Sequence, residues 1–163
     1  MSETKPTALA GRPADFSDRE LRRGMELLFY AYRDFTAEPD AILADFGFGR
    51  AHHRVIYFVG RNPGIAVAEL LDILKITKQS LSRVLGQLVR EGFIQQRQGR
   101  RDRRQRLLTL TAKGKRLEKR LSSDQRRRLA RAFTAAGPGG LEGFRRVLFE
   151  MINEHDRRRL GPD

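Results

Sequence analysis

The chain contains no cysteine and no tryptophan, and only three histidines. Without thiols there is no disulfide framework, no thiolate metal site and no thiol-based redox sensing. Ligands and nucleophiles are so few that neither a metal site nor a cofactor is expected. No Ser-His-Asp order, phosphate-binding glycine loop or paired-carboxylate motif stands out, so an enzyme is not expected. Long apolar runs are missing too: nothing approaches the ~20 residues of a membrane-spanning helix. Glu3 and Lys5 are followed by no apolar signal-peptide core. A cytoplasmic protein without membrane attachment is the expectation.

Charge is what the chain has in excess. Lys and Arg total 33 against 20 acids, a net charge of +13 over 163 residues. Most of the cations are Arg, which pairs bidentately with phosphate and guanine edges better than Lys does. Net charge alone indicates nucleic acid or an anionic surface; its distribution decides between them. Between Lys78 and Arg106 there are nine basic residues against Glu91 and Asp102, a net of +7. Over half of the excess is thus concentrated in less than a fifth of the chain.

Residues 1–16 read as a polar tail with Pro6 and Pro13. Ser17 is a candidate N-cap with Glu20 as its capping-box partner. Leu21, Met25, Leu28, Tyr32 and Phe35 then recur at helical spacing. Pro39 is expected to kink this helix or to start a second, short one. A helix over Arg50–Gly60 places His52, Val55, Ile56 and Val59 on one face, with His53 and Tyr57 on another. Asn62-Pro63-Gly64 stops it.

Val67, Leu70, Leu71 and Leu74 stand at i, i+3, i+4 and i+7, a short amphipathic helix. After Lys75-Ile76, Thr77 caps another helix, with Leu81, Val84, Leu85 and Leu88 as its buried stripe and Gly92 as its C′ glycine. Two short helices joined by a tight turn match a helix-turn-helix. Residues 93–98 and 105–110 read as the strands of a β-hairpin around the polar turn 99–104. A long basic helix from Thr111 to Ala136 follows, carrying Leu117, Leu121, Leu129 and Phe133. Gly137–Gly140 breaks it before one last helix with Leu141, Phe144, Leu148, Met151 and Ile152 on a stripe. The fold class expected is mainly α with a small β-hairpin wing: a winged helix-turn-helix plus a helical dimerisation lobe.

Opposite the leucine stripe of the second short helix lie Gln79, Ser82, Arg83, Gly86 and Arg90. Arg can read guanine, Gln adenine, and Ser either bases or phosphate. An ordinary solvated face is the alternative. The hairpin tip favours contact, because Arg100, Arg101, Arg103 and Arg104 would repel one another and bury nothing. They suit phosphates or a narrow minor groove. Asp102 among them is expected to hold a neighbouring guanidinium, that of Arg104. The candidate DNA-binding residues are Thr77, Lys78, Gln79, Ser80, Ser82, Arg83, Gln87, Arg97, Arg100, Arg101, Asp102, Arg103 and Arg104. His52 and His53 are helix neighbours about 100° apart, poorly placed to share one ion. His52 reads as a hydrogen-bonded core or hinge histidine. His53 with Tyr57 and Tyr30 can line an effector pocket, or belong to an aromatic core.

The segment Ile65–Gly114 resembles the MarR family of bacterial regulators. The resemblance is carried by the helix Val67–Leu74, by Thr77-Lys78-Gln79-Ser80-Leu81-Ser82-Arg83, by Leu88–Ile94, by Asp102-Arg103-Arg104, and by Leu108-Thr109-Leu110-Thr111-Ala112-Lys113-Gly114. Ala51-His52-His53-Arg54 with Lys78-Gln79-Ser80-Leu81 is similar to its PetP-like branch. The resemblance implies a homodimer and places base contacts at Ser82 and Arg83 and a minor-groove arginine at Arg104. It also implies a small aromatic or anionic effector bound between the lobes. The oxidant-sensing branch uses a reactive cysteine, which this chain lacks.

The organisation expected is a tail (1–16), the N-terminal part of the dimer lobe (17–47), the DNA-binding domain (48–110), the C-terminal helices of the dimer lobe (111–158) and a tail (159–163). The amphipathic terminal helices independently call for a second copy, and two-fold symmetry then calls for a pseudo-palindromic double-stranded DNA operator. The function expected is a sequence-specific transcription regulator of the repressor type, open to release by an effector. The rivals are a nonspecific architectural DNA-binding protein and an RNA-binding winged-helix module.

Overall fold

The structure, a computed structural model, describes residues 16–161. Of the expected tails (1–16 and 159–163), residues 1–15 and 162–163 lie outside the described residues. Helix α1 (Asp18–Ala44) begins at the capping box: the Ser17 N–H donates to Glu20 Oε2 (2.8 Å) and the Glu20 N–H to Ser17 Oγ (3.3 Å). The Ser17 hydroxyl, donating to Glu20 Oε2 at 2.6 Å, and then the Ser17 N–H hold the Glu20 carboxyl below its usual range.

Pro39 lies inside one continuous helix, so of the two expected alternatives the second, short helix is not formed. Proline removes the N–H that would bond the carbonyl four residues back, here that of Phe35. The Gln125 Nε2 amide donates to that carbonyl at 3.2 Å, so a tertiary bond satisfies the group that Pro39 abandons.

The chain divides into two units that part between Asp34 and Phe35. In the N-terminal unit the apolar side chains are exposed, Met25 and Phe29 at 72% and 64%. The larger unit carries the core. Helix α2 (Arg50–Arg61) buries Val55, Ile56 and Val59. Strand β1 (Ile65–Ala66) leads into α3 (Val67–Leu74), and α4 (Lys78–Arg90) follows after Lys75, a non-glycine residue at φ +52°. That left-handed residue makes the tight turn between the two helices. Thr77 caps α4, its Oγ1 accepting the Ser80 N–H at 3.1 Å. At the far end Gly92 takes φ +77°, the Gly92 N–H bonds Val89 O and the Phe93 N–H bonds Leu88 O. This is a Schellman ending that turns the chain straight into the wing.

Strands β2 (Ile94–Gln98) and β3 (Arg106–Leu110) pair antiparallel from Ile94↔Leu110 to Gln98↔Arg106. The order is β1-β3-β2, with Ile65 opposite Leu108. Phe93 precedes β2 as a fully buried core residue. Leu81, Val84, Leu85 and Leu88 of α4 pack with Leu70, Ile94, Leu108 and Leu117 into one cluster. Each fully buried aliphatic side chain contributes ~1.5–3 kcal/mol of transfer free energy.

Helix α5 (Ala112–Ala136) starts where Thr111 ties it to the wing base: its Oγ1 donates to Gly92 O (2.6 Å) and accepts the Gly114 N–H (3.0 Å). After the glycine-rich break the expected single last helix is two, α6 (Gly140–Met151) and α7 (Glu154–Leu160), separated by Ile152 and the N-cap Asn153. The helical part therefore runs two residues past the expected boundary at residue 158. None of the residues of α6 is buried. On α3, Asp72 accepts from Lys75 Nζ (3.0 Å), from His155 Nε2 (3.0 Å) and from the Arg159 guanidinium, so α7 is tied to α3. The hydrogen bond from His155, and after it that from Lys75, hold the Asp72 carboxyl far below its usual range.

Candidate nucleic-acid interface

The N-terminal turn of α4 supplies the first group of candidate contacts. Thr77 and Ser80 carry the cap: Thr77 Oγ1 also donates to Ser80 Oγ at 2.9 Å. The free N–H groups of this turn and the helix dipole favour an anion such as phosphate. Lys78, Gln79, Ser82 and Arg83 are exposed on the outer face. No ion pair neutralises Lys78 or Arg83 among the described residues. Farther along, the Arg90 guanidinium lies over Gly86, 3.3 Å from where a Cβ would stand. Gly86 is thus covered by a flexible cation rather than left as a bare notch.

Gln87 is placed differently from its expected role. It is half-buried, its Oε1 faces His52 Nε2 at 2.9 Å and its Nε2 donates to Glu91 Oε1 at 2.9 Å. Both polar ends are thus engaged within the protein. Helical periodicity put residue 87 near the outer face. The partner that draws it inward comes from 35 residues earlier.

The wing tip is ordered by its own backbone. Gly99 N–H donates to Gln105 O (2.9 Å) and Gln105 N–H to Asp102 O (3.1 Å). A Cβ on Gly99 would stand 2.6 Å from the Asp102 carbonyl oxygen, so only glycine fits the neck of this loop. Asp102 Oδ1 accepts the backbone N–H of Arg104 at 2.9 Å, not its guanidinium as the sequence led us to expect. A short carboxylate reaches the N–H two residues on more readily than a long, freely rotating side chain. Asp102 therefore shapes the turn and leaves the Arg104 head group free. Arg97, Arg100, Arg101, Arg103 and Arg104 are all exposed, with no carboxylate partner among the described residues. Several arginines elsewhere are paired: Arg50 with Asp40 (3.0 Å), Arg157 with Glu150 (2.9 Å), Arg127 with Asp124.

Between α3, α4 and the wing lies a depression of about 590 Å³ bounded by Val67, Lys78, Ser82, Gln96 and Arg106 among others. It brings the outer face of α4 and the hairpin into one concave surface. Gln96 and Arg106 were not among the sequence candidates. The period-two pattern that selects them is interrupted in β2 by four consecutive polar residues.

The effector candidates are spread over two elements. Tyr30 is exposed on the N-terminal unit, its ring under the Arg33 guanidinium at 4.8 Å. His53 and Tyr57 stand one turn apart on α2. Tyr57 is exposed and meets Phe58 edge-on at 5.2 Å. Burial pushes the half-buried His53 imidazole below its ordinary range, opposed by Asp40 and Glu118 and assisted by Arg54.

A short left-handed turn between α3 and α4, a cap exposing the first turn of α4 and a basic hairpin define a winged helix-turn-helix of the kind found in DNA-binding transcription regulators. The model of the MarR family matches residues 46–105. The chain is 51% identical over 142 residues to the HTH-type transcriptional regulator PetP of Rhodobacter capsulatus, covering 87% of this chain and 86% of that protein. It belongs to the MarR family, a family of transcriptional regulators rather than of enzymes. Its fold is similar to that of a MarR family transcription regulator of known crystal structure (TM-score 0.68, 20% identity, 82% of this chain and 88% of that one). It is also similar to a putative MarR family regulator from Listeria monocytogenes solved in complex with a 26-mer DNA (TM-score 0.67, 20% identity, 78% of this chain and 85% of that one).

Proposed function

We propose that this DNA-binding MarR-type regulator is a homodimeric, sequence-specific repressor acting on a pseudo-palindromic duplex. The observation that carries this reading is the contrast in charge pairing. Among the described residues the arginines of the wing tip and Arg83 have no carboxylate partners, whereas many of those on α2, α5 and α7 do. Unpaired, mutually repelling cations on an ordered loop are stabilised when a polyanion arrives. In this reading Ser82 and Arg83 read base edges, Gln79 and Lys78 contact bases or phosphate, and the wing follows the minor groove through Arg104.

Dimerisation is supported by apolar faces that the single chain leaves open. α6 exposes Leu141, Phe144, Val147 and Met151, and the N-terminal unit exposes Leu21, Met25, Leu28 and Phe29. A second copy covers them and sets two recognition helices about one DNA turn apart. Release by a small aromatic or anionic effector near His53 and Tyr57 completes the reading, Tyr30 being the third candidate. Among the described residues no helix is long and apolar enough to cross a membrane. A cytoplasmic location fits a regulator that reaches DNA.

The test is selection of bound duplexes from a randomised library by the full chain. The expected result is a two-fold-related motif with half-sites about 10 base pairs apart. Enrichment of no sequence, with equal binding to single-stranded RNA, would instead favour the architectural or RNA-binding alternative.

A further inference from the structure

We propose that His52 is a positioning residue for DNA recognition: a directional hydrogen-bond chain from α2 through His52, Gln87 and Glu91 sets the rotation of α4 about its own axis. The proposal rests on the DNA-reading role of α4 argued above.

The direction of the chain follows from its first member. The Gly49 backbone N–H can only donate, and it lies 3.1 Å from His52 Nδ1. That nitrogen therefore carries a lone pair, and the ring proton sits on Nε2. Nε2 donates to Gln87 Oε1 at 2.9 Å, which turns the Gln87 NH₂ toward Glu91 Oε1, also at 2.9 Å. All three bonds point the same way, from the N-terminus of α2 to the end of α4. The ring is fixed by stacking on Phe48, 4.7 Å between centroids and 7° between planes, and Phe48 meets Phe93 edge-on at 5.3 Å. At the far end the Glu91 carbonyl accepts from Lys113 Nζ of α5 at 2.8 Å.

Apolar packing of Leu81, Val84, Leu85 and Leu88 fixes the depth of α4, but it is non-directional and resists rotation weakly. Rotation matters for reading, since a turn of about 15° swings a side-chain tip on the helix surface by about 1.5 Å. That displacement exceeds the tolerance of a bidentate arginine–guanine contact. The chain thus spends Gln87 internally, so that Ser82 and Arg83 are presented at a fixed angle.

Reversing the polarity of the links from residue 52 to Gln87 and from Gln87 to residue 91 tests this. His52→Glu keeps an acceptor for the Gly49 N–H, since Glu is a favoured residue at the third position of a capping box. It offers Gln87 only an acceptor, however, so the amide must flip and turn its oxygen against the Glu91 carboxylate. Adding Glu91→Gln supplies a donor there and reverses the two links beyond residue 52, so that every group has a complementary partner again while the Gly49 N–H still donates to residue 52.

The readout is the affinity for a duplex selected by the wild type divided by that for random duplex, at fixed salt, with thermal melting of each protein. The added charge of the single variant weakens both duplexes alike and cancels in the ratio. We expect the ratio to fall about tenfold or more in His52→Glu, to stay within about twofold in Glu91→Gln alone, and to recover to within about threefold in the double variant. Gln87→Met, which severs both of its bonds while leaving the cap of α2 intact, is expected to match the His52→Glu loss even if that variant folds poorly. An unchanged ratio in Gln87→Met, or a double variant no better than His52→Glu when both fold, overturns the proposal. A wild type that shows no preference between the two duplexes refutes the DNA-reading role itself, a separate and visible outcome.

Discussion

Replacing Gly114 by alanine should destabilise the protein although alanine is the better helix former. Gly114 lies in the first turn of α5, where a Cβ would stand 2.1 Å from the Phe93 carbonyl oxygen and 3.3 Å from Leu110 Cβ. The Phe93 carbonyl is backbone of the core and already accepts the Thr111 N–H at 3.0 Å, so it has little room to retreat. Restoring a normal separation moves α5 or the β2 start by about 1 Å, an overpacking cost of ~1–3 kcal/mol. The shift also weakens the Thr111 bonds to Gly92 and Phe93, each worth about 1 kcal/mol. The helix-propensity gain returns only about 1 kcal/mol. The net expectation is a loss of about 2–4 kcal/mol, or about 5–15 °C in Tm for a chain of this size.

Gly86→Ala on α4 is the internal control. Its Cβ would meet only the mobile end of Arg90 at 3.3 Å, so it should gain up to ~1 kcal/mol. Thermal melting of both variants at one protein concentration checks the pair. Equal or higher stability of Gly114→Ala would refute the close approach of α5 to the wing base.

Arg83→Ala is expected to relax base preference, costing ~1–3 kcal/mol on a selected duplex and little on random DNA. Arg104→Ala removes two cation contacts from a dimer, lowering the salt slope by about 1.8, so that the affinity loss between 50 and 200 mM salt shrinks by about twelvefold. Equal effects of the two substitutions on both duplexes and on the slope would contradict this division. Val147, 61% exposed on α6, should dissociate the dimer when changed to aspartate, read as a halved mass in sedimentation; an unchanged mass removes α6 from the interface. His53 contributes a pH dependence of defined sign. Its folded pKa lies below the ordinary 6.5, so the unfolded chain takes up the proton first and stability falls as pH drops below about 6.5. His53→Gln should flatten the fall of Tm between pH 7.5 and 5.5, and an identical slope in both proteins would sink this account.

Local features were the legible ones. The spacing of Val67 to Leu74 and Leu81 to Leu88, the Thr77 cap and the Gly92 stop are short-range signals, and the helices follow them closely. What the sequence hid depends on partners far along the chain. Pro39 reads as a kink or as the start of a second helix until Gln125, 86 positions later, satisfies the Phe35 carbonyl. Strand β1 is only two residues long and exists because β3 accepts it, so no periodicity announces it. The division of the last segment at Asn153 was masked by a stripe that stays apolar through Ile152. At the site, the outer face of α4 and the basic wing were visible as composition and spacing. The inward turn of Gln87 and the backbone role of Asp102 were not, because each is decided by geometry finer than residue type.

The central claim is sequence-specific recognition of duplex DNA by α4 and the wing. Its most direct test is titration of the wild-type chain, at one physiological salt concentration, against a selected duplex, a random duplex and a double-stranded RNA of equal length. The account predicts a preference of about 10³ or more for the selected duplex over the random one, and weaker binding still to RNA. Equal affinity for all three would contradict it.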